Sequence, residues 1–206
     1  NSVSGRVGIV ACFSMQTYLD IYSGEVCFLT TDDAEIAARA TLLSGSYMLY
    51  TRHGAGPELE VFEPLRAATP NVSGRMDNLR AAILRPQLQV LPERVARWAA
   101  LHDAMEAGLK HAPGLHLIRR EPGLDRVGSS FQFVMPEKRG AWIGDFVARC
   151  AARGVELKWF GAERAQGFTS NHRNWAYADR ASLPRTDRVL AGLIDMRLPL
   201  TFDVKD

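Results

Sequence analysis

Lysine is the scarce reagent of this chain. Of the 25 basic residues, only Lys110, Lys138, Lys158 and Lys205 are lysines. Imine chemistry with an aldehyde needs a neutral amine, and the first half of the chain has no side chain to supply one. The histidines His53, His102, His111, His116 and His172 show no HxxxH or HExxH spacing. Surface or capping roles are expected of them, not a metal centre. Cys12, Cys27 and Cys150 are odd in number, lack a CxxC, and sit in apolar contexts. They read as buried free thiols of a reducing cytoplasm. No GxSxG elbow accompanies the serines and histidines. Gly5-x-x-Gly8 is too short for a dinucleotide fingerprint. Trp159, Phe160, Phe168 and Trp175 surround a Gly-containing loop. They read as a pocket wall or a partner surface, with packing of a small core as the commoner outcome for such a cluster.

Bulk properties narrow the class. A chain of 206 residues buries roughly two thirds or more of its unfolded surface, so one domain, or one with a small appendage, is expected. Hydrophobic residues make up 47% and charged residues 23%, which is ordinary for a globular protein. Net charge is +2 without a basic run, so nothing favours nucleic acid. No apolar run approaches the ~18 residues of a membrane span, and no signal-peptide pattern opens the chain. Asn1 as first residue reads as a fragment or a loss of upstream residues.

The elements that must position any chemistry follow from local patterning. Val7 to Phe13 reads as a buried strand and Glu25 to Thr30 as a second, after a Ser23-Gly24 turn. Thr31 or Asp32 is expected to cap a helix running to about Leu43, with Ile36, Ala40 and Leu43 on one face. Tyr47 to Asn71 reads as a long irregular excursion, the kind usually functional or pinned by a partner. Arg75 to Lys110 is strongly helical but interrupted at Pro86 and Pro92, which predicts two helices meeting near Pro92. Beyond it, His116–Arg119, Ser129–Met135 and Val155–Phe160 read as strands. Trp142–Arg153 reads as a helix stopped by Gly154. Gly161 to Arg185 reads as loop, and Thr186 to Met196 as a last helix.

Several separate signatures share one order. Phe13-Ser14, four residues, Leu19, then Ser23-Gly24-Glu25 resembles the cofactor-anchoring segment of the DegT/DnrJ/EryC1/StrS aminotransferases. Thr30-Thr31-Asp32-Asp33, Arg52-His53-Gly54, and Asn71 to Gln87 with Arg75-Met76 and Leu79-Arg80-Ala81-Ala82 are similar to that family's later segments. So are Ala152-Arg153-Gly154-Val155 and Met196-Arg197-Leu198-Pro199-Leu200. The likeness runs from about Gly5 to Phe202. It implies an α/β protein of the pyridoxal-phosphate fold type I, a homodimer or a dimer with a related chain. Residues 1–110 would be the remainder of the large domain, and 111–206 the small C-terminal α/β domain. The chain resembles the second half of that fold. The family's pyridine-pairing aspartate and ring-stacking aromatic lie upstream of the matched part, and one more helix usually follows its Leu-Pro-Leu.

The resemblance also assigns roles. The family's Schiff-base lysine corresponds to Leu19, so no catalytic residue is carried over. Ser14 would bind the cofactor phosphate, or be a strand-end serine satisfied by the backbone. Asn71 would reach the neighbouring subunit's cofactor phosphate, with Ser73 as an alternative match and loop capping as the plain role. Arg75 would hold an anion or pair with Asp77. Val26 and Cys27 stand at two family glycines, and Asp20 and Tyr22 also depart from the pattern. The implied reaction is amino transfer from a small-molecule amine donor to a keto-sugar or related ketone, with pyridoxal phosphate. The expectation is therefore an aminotransferase-like protein, inactive alone. The alternative is a non-catalytic scaffold that retains the fold and the dimer surface.

Overall fold

The computed structural model describes residues 5–46, 48–52, 54, 56–119, 121–166, 171–179 and 181–206. The chain divides into two units, Asn1–Leu91 and Pro92–Asp206. The architecture is mixed α/β, as expected.

In the first unit, β1 (Val10–Ser14) pairs antiparallel with β2 (Cys27–Thr31), in register from Val10 opposite Thr31 to Ser14 opposite Cys27. The expected burial of the first strand is not found: Val10 and Phe13 of β1 are exposed, and Val7 and Ile9, which precede it, are 78% and 73% exposed. A two-stranded sheet with little packed on it leaves its apolar residues open to water. Cys12 and Cys27 are likewise exposed free thiols rather than buried ones, and Cys150 is half-buried.

Helix α1 spans Ala34–Leu43 and is capped by Asp33, not by Thr31 or Asp32. Asp33 Oδ1 accepts from the Ile36 N–H at 3.0 Å. Thr31 is already committed, because its Oγ1 donates to the Ile9 carbonyl at 2.7 Å and accepts from the Asp33 N–H at 3.0 Å. The buried face of α1 is Ala38 and Leu42, four residues apart as one helix face requires. Ile36, Ala40 and Leu43 are only half-buried.

Tyr50, Phe62 and Leu65 close a core cluster over that face. The Tyr50 and Phe62 rings stack at 4.6 Å. The excursion after Ser46 thus has its own core, built around a short 3-10 turn (Tyr50–Arg52) and α2 (Leu59–Phe62). Tyr50, Phe62 and Leu65 are buried. Met48, Leu49, Leu59 and Val72, on the same excursion and just after it, are exposed.

Helix α3 (Asn78–Gln89) carries Pro86 inside it, and α4 (Leu91–Leu109) follows after Val90. The junction falls where Pro92 predicts it, since proline is tolerated in a first turn whose N–H groups have no helical partner. Pro86 does not interrupt α3.

The second unit holds a four-stranded antiparallel sheet in the order β3 (His116–Leu117), β4 (Ser130–Val134), β6 (Leu193–Arg197), β5 (Lys158–Trp159). Helix α5 covers Ala141–Ala151 and α6 covers Pro184–Leu190. The expected helix from Thr186 to Met196 is therefore corrected: it stops at Leu190, and Leu193–Arg197 is an inner strand. Gly192 permits the reversal. A Cβ there would come within 2.6 Å of the Met135 carbonyl oxygen, whose residue donates its own N–H to the Gly192 carbonyl at 2.9 Å. The expected strands 116–119 and 155–160 shorten to two residues each.

Phe131, Phe133, Met135, Ile143, Ile194 and Leu198 are buried in this unit together with Trp98 of α4. The Trp98 indole N–H donates to the Leu198 carbonyl at 2.9 Å. Asp195 is buried on β6 between Gln132 at 3.2 Å and Lys158 at 3.6 Å. Burial holds the Lys158 ammonium below its usual value, with the Asp195 charge acting the other way. No helix among the described residues is long and apolar enough to cross a membrane.

Candidate functional site

The segment between β1 and β2 is a folded loop, not a slack connection. The Met15 N–H donates to the Val26 carbonyl at 2.9 Å, and the Ser23 N–H donates to the Met15 carbonyl at 3.2 Å. Met15 and Ile21 are buried against Leu84 of α3, with Val26, Phe28, Met76 and Leu91 around them. Inside this frame Tyr18 takes a left-handed backbone (φ 75°), and the Leu19 N–H donates to the Gln16 carbonyl at 3.2 Å. Leu19 is half-buried.

Helix α3 grips the loop from the side. The Tyr22 N–H donates to Gln87 Oε1 at 3.1 Å, and Gln87 Nε2 donates back to the Tyr22 carbonyl at 2.7 Å. Arg80 lies beside the turn, its Nε being 3.6 Å from where a Cβ on Gly24 would sit. Gly24 has φ 99°, a conformation that suits glycine. Val26 and Cys27, which the resemblance sets at two family glycines, are not among the left-handed residues. Val26 instead packs on the loop's core, and Cys27 begins β2.

Ser14 ends β1, exposed, and its Oγ accepts from the Gln16 N–H at 3.3 Å. Asn71 lies on a different loop. Its Oδ1 accepts from the Ser73 N–H at 2.7 Å and from the Ser73 hydroxyl at 3.3 Å. That loop is tied to the end of α1: Val72 donates to Leu43, and Arg75 to Ser44 through its backbone and to Gly45 through its guanidinium. Arg75 does not take Asp77 as sequence proximity suggested. Asp77 caps α3 by accepting from the Arg80 N–H at 2.9 Å and also pairs with the Arg80 guanidinium. That backbone bond and the Arg80 charge lower the Asp77 carboxyl below its usual range. His53 lies outside the described residues, so the Arg52-His53-Gly54 segment adds nothing here.

The donor set can be compared with what pyridoxal phosphate requires. Ser14 offers an exposed hydroxyl of the kind that binds phosphate. An amine is missing: the unit Asn1–Leu91 contains no lysine, and Leu19 occupies the middle of the clamped loop. These residues do not fit a lysine-anchored aldehyde cofactor.

Two further clusters lie in the second unit, and sequence spacing did not reveal either. His102 is buried on α4 against the Phe131 ring at 4.9 Å, contrary to the surface role expected of it. His102, Asp103 and Glu106 bring ligand-type atoms within 4.8 Å of one another. However, Arg126 already holds Glu106 at 3.0 Å, and its positive charge opposes a metal ion there. His172 Nε2 lies 2.7 Å from Asp187 Oδ1, while Arg173 donates to Asp187 Oδ2 at 2.6 Å. These two bonds, Arg173 first, hold the Asp187 carboxyl below the usual carboxylate range. Separations of 14 and 15 residues across a loop carry no periodicity that would have predicted the pairing.

Of the expected aromatic cluster, Trp159 donates to the Ala191 carbonyl at 3.1 Å and is half-buried. Trp175 is 42% exposed and stacks on Tyr177. Phe168 lies outside the described residues.

Comparison with known proteins places this geometry. The DegT/DnrJ/EryC1/StrS aminotransferase family matches residues 1–205. No curated protein matches the chain. Among solved structures, the chain is similar to aminotransferase TlmJ from Streptoalloteichus hindustanus, at 22% identity and TM-score 0.71, over 98% of this chain and 50% of that one. It is also similar to the E coli GDP-4-keto-6-deoxy-D-mannose-3-dehydratase with bound hydrated PLP, at 16% identity and TM-score 0.70, over 96% and 52% of the two chains. A third similar structure is DesI in the presence of its TDP-sugar product, at 21% identity and TM-score 0.68, over 98% and 47%. The chain thus spans about half the length of these solved structures.

Proposed function

The chain belongs to the DegT/DnrJ/EryC1/StrS aminotransferase family, and from that premise we propose that it is an aminotransferase-like protein holding no pyridoxal phosphate through residue 19. The observation that carries this reading is Leu19, half-buried in a loop pinned by Gln87, in a unit without any lysine. The family's reaction is pyridoxal-phosphate-dependent amino transfer to a keto-sugar or related ketone. The names of two neighbours, a GDP-keto-sugar dehydratase and an enzyme with a TDP-sugar product, supply the substrate class: a nucleotide-linked sugar. In this reading Ser14 offers its hydroxyl to the cofactor phosphate. Asn71, whose Oδ1 is engaged by Ser73, has its amide nitrogen as the donor toward a neighbouring subunit's phosphate.

A dimer belongs to the same reading, formed with a second copy or a related chain. Met48, Val72 and Leu79 are 75%, 67% and 72% exposed on the segments that would meet the partner. Three free cysteines suit a reducing cytoplasm.

One observation favours the alternative of a non-catalytic scaffold. Val26 and Cys27 have turned the family's glycine turn into packed core and strand start. Both readings share one test. Incubate the protein with pyridoxal phosphate, reduce with borohydride, and digest. The expected result is no stoichiometric adduct on the peptide holding residues 13–25. An adduct there overturns the proposal. Sedimentation as a stable folded monomer at micromolar concentration would remove the dimer.

A further inference from the structure

One face of the four-stranded sheet carries a polar row. Register sets Gln132 of β4 opposite Asp195 of β6, and Asp195 opposite Lys158 of β5. Directly paired residues share a face of a sheet. The next row, Phe133 with Ile194 and Ile194 with Trp159, points to the other face and its apolar core. Gln132 Nε2 donates to Asp195 Oδ1 at 3.2 Å, and Asp195 Oδ2 faces Lys158 Nζ at 3.6 Å. The lysine and aspartate side chains are only 14% and 7% exposed. Arg197, two residues along β6, lies on the same face.

An amine attacks a carbonyl only in its neutral form. Removal from water and a neighbouring cation both loosen a lysine's hold on its proton. Both conditions are met at Lys158. Burial is the first cause that holds its ammonium below the usual value; Arg197 adds to this, while Asp195 and Glu156 oppose it. The other lysines lack this setting. Lys110 and Lys205 are exposed, and Lys138 Nζ lies over the Trp142 ring, 4.8 Å from its centre. Passing one proton from Nζ to Oδ2 turns two buried charges into a neutral amine and a neutral acid, and burial disfavours charge.

We propose that Lys158 is an imine-forming amine for a small aldehyde or ketone, with Asp195 as its proton carrier. The Nζ lone pair attacks the carbonyl carbon, a C–N bond forms, and the carbonyl π pair moves to oxygen. Asp195 takes a proton from the nitrogen and returns it to that oxygen. A second transfer of the same kind converts the hydroxyl to water, which leaves as the C=N bond forms. Both amine hydrogens end in the water, so no oxidant or reductant is consumed. The limited exposure of Lys158 selects a small carbonyl compound over a bulky ring aldehyde. No residue of the loop that holds Leu19 takes part.

The test is timed labelling of the purified protein near neutral pH with glycolaldehyde. Cyanoborohydride is kept in excess, so that imine formation limits the rate, and digestion with mass spectrometry reads each lysine. Lys158 is expected to be alkylated about tenfold faster than Lys110 and Lys205, since each unit of lowered proton affinity raises the neutral fraction about tenfold. Asp195→Asn separates two roles. If the carboxylate only holds the ammonium, its removal leaves more neutral amine and faster labelling. If it carries the proton, labelling of Lys158 slows by about tenfold or more, which is the expected result. Arg197→Gln, at an exposed position, is expected to slow Lys158 roughly two- to fivefold. Labelling of Lys158 no faster than that of Lys110 and Lys205 overturns the proposal. So does an equal or faster rate in a folded Asp195→Asn. Should that variant fail to fold, a wild-type rate in Arg197→Gln overturns it instead. The borohydride experiment reads the peptide of residues 13–25, so its result and this one stand apart.

Discussion

Gln87 and Tyr22, 65 residues apart, exchange two hydrogen bonds, one in each direction between a side-chain amide and a backbone amide. This is how α3 holds the loop that carries Leu19. Gln87→Ala removes both bonds, each worth about 0.5–1.5 kcal/mol net. The loop is expected to open locally before the unit unfolds. Hydrogen exchange at the Tyr22 amide should accelerate about tenfold, with a small change in melting temperature. An unchanged Tyr22 exchange rate would show that the core of Met15, Ile21 and Leu84 holds the loop unaided.

Leu19→Lys supplies the missing amine in the same loop. It is expected to yield a reducible pyridoxal phosphate adduct at residue 19 without amino transfer. The reason is local: the positions after Glu25 are Val26, packed into the loop's core, and Cys27, opposite Ser14 in the ladder. The check is conversion of pyridoxal phosphate to pyridoxamine phosphate with excess glutamate. Turnover within tenfold of the ~10 s⁻¹ of an ordinary enzyme would show that Val26 and Cys27 leave a working site.

Trp98→Phe tests the second unit. The buried indole N–H satisfies the Leu198 carbonyl at 2.9 Å, in the segment that follows β6. Phenylalanine keeps much of the ring but leaves a buried acceptor unpaired, a loss of about 1–3 kcal/mol. Denaturant unfolding should show that loss with an unchanged slope. A difference below about 0.5 kcal/mol would mean that water reaches the carbonyl.

Asp187 predicts a pH dependence. Its carboxyl is lowered first by Arg173 and then by His172. A carboxylate depressed in the folded state contributes stability that is present above the ordinary aspartate value of about 3.9 and is lost as pH falls through the lowered value. The melting-temperature gap between the wild type and Asp187→Asn should therefore be constant near neutrality and shrink below about pH 4. A gap that stays constant down to about pH 2 would show that the pair is not formed in solution.

Elements carried by local patterning were legible in advance: α1 with its acidic cap region, the helix junction before Pro92, and α5 before Gly154. Each depends on residues within one or two turns of one another, so a short window contains the cause. The inner strand β6 was not legible. Leu190 to Met196 suits a helix locally, and only β4 and β5 on either side make Leu193–Arg197 a strand. The cap of α1 moved by one residue because Thr31 is spent on Ile9, 22 positions away.

The sequence by itself determined the family, through motifs in a shared order, and the absence of any lysine before Lys110. These are facts of covalent identity, and folding cannot alter them. Tertiary structure alone decided that Gln87 grips Tyr22 and that His172 and Arg173 share Asp187. Each of these joins residues through directional contacts made after the chain folds back. Hydrogen bonds act over about 3 Å, and only the folded backbone decides which side chains come that near.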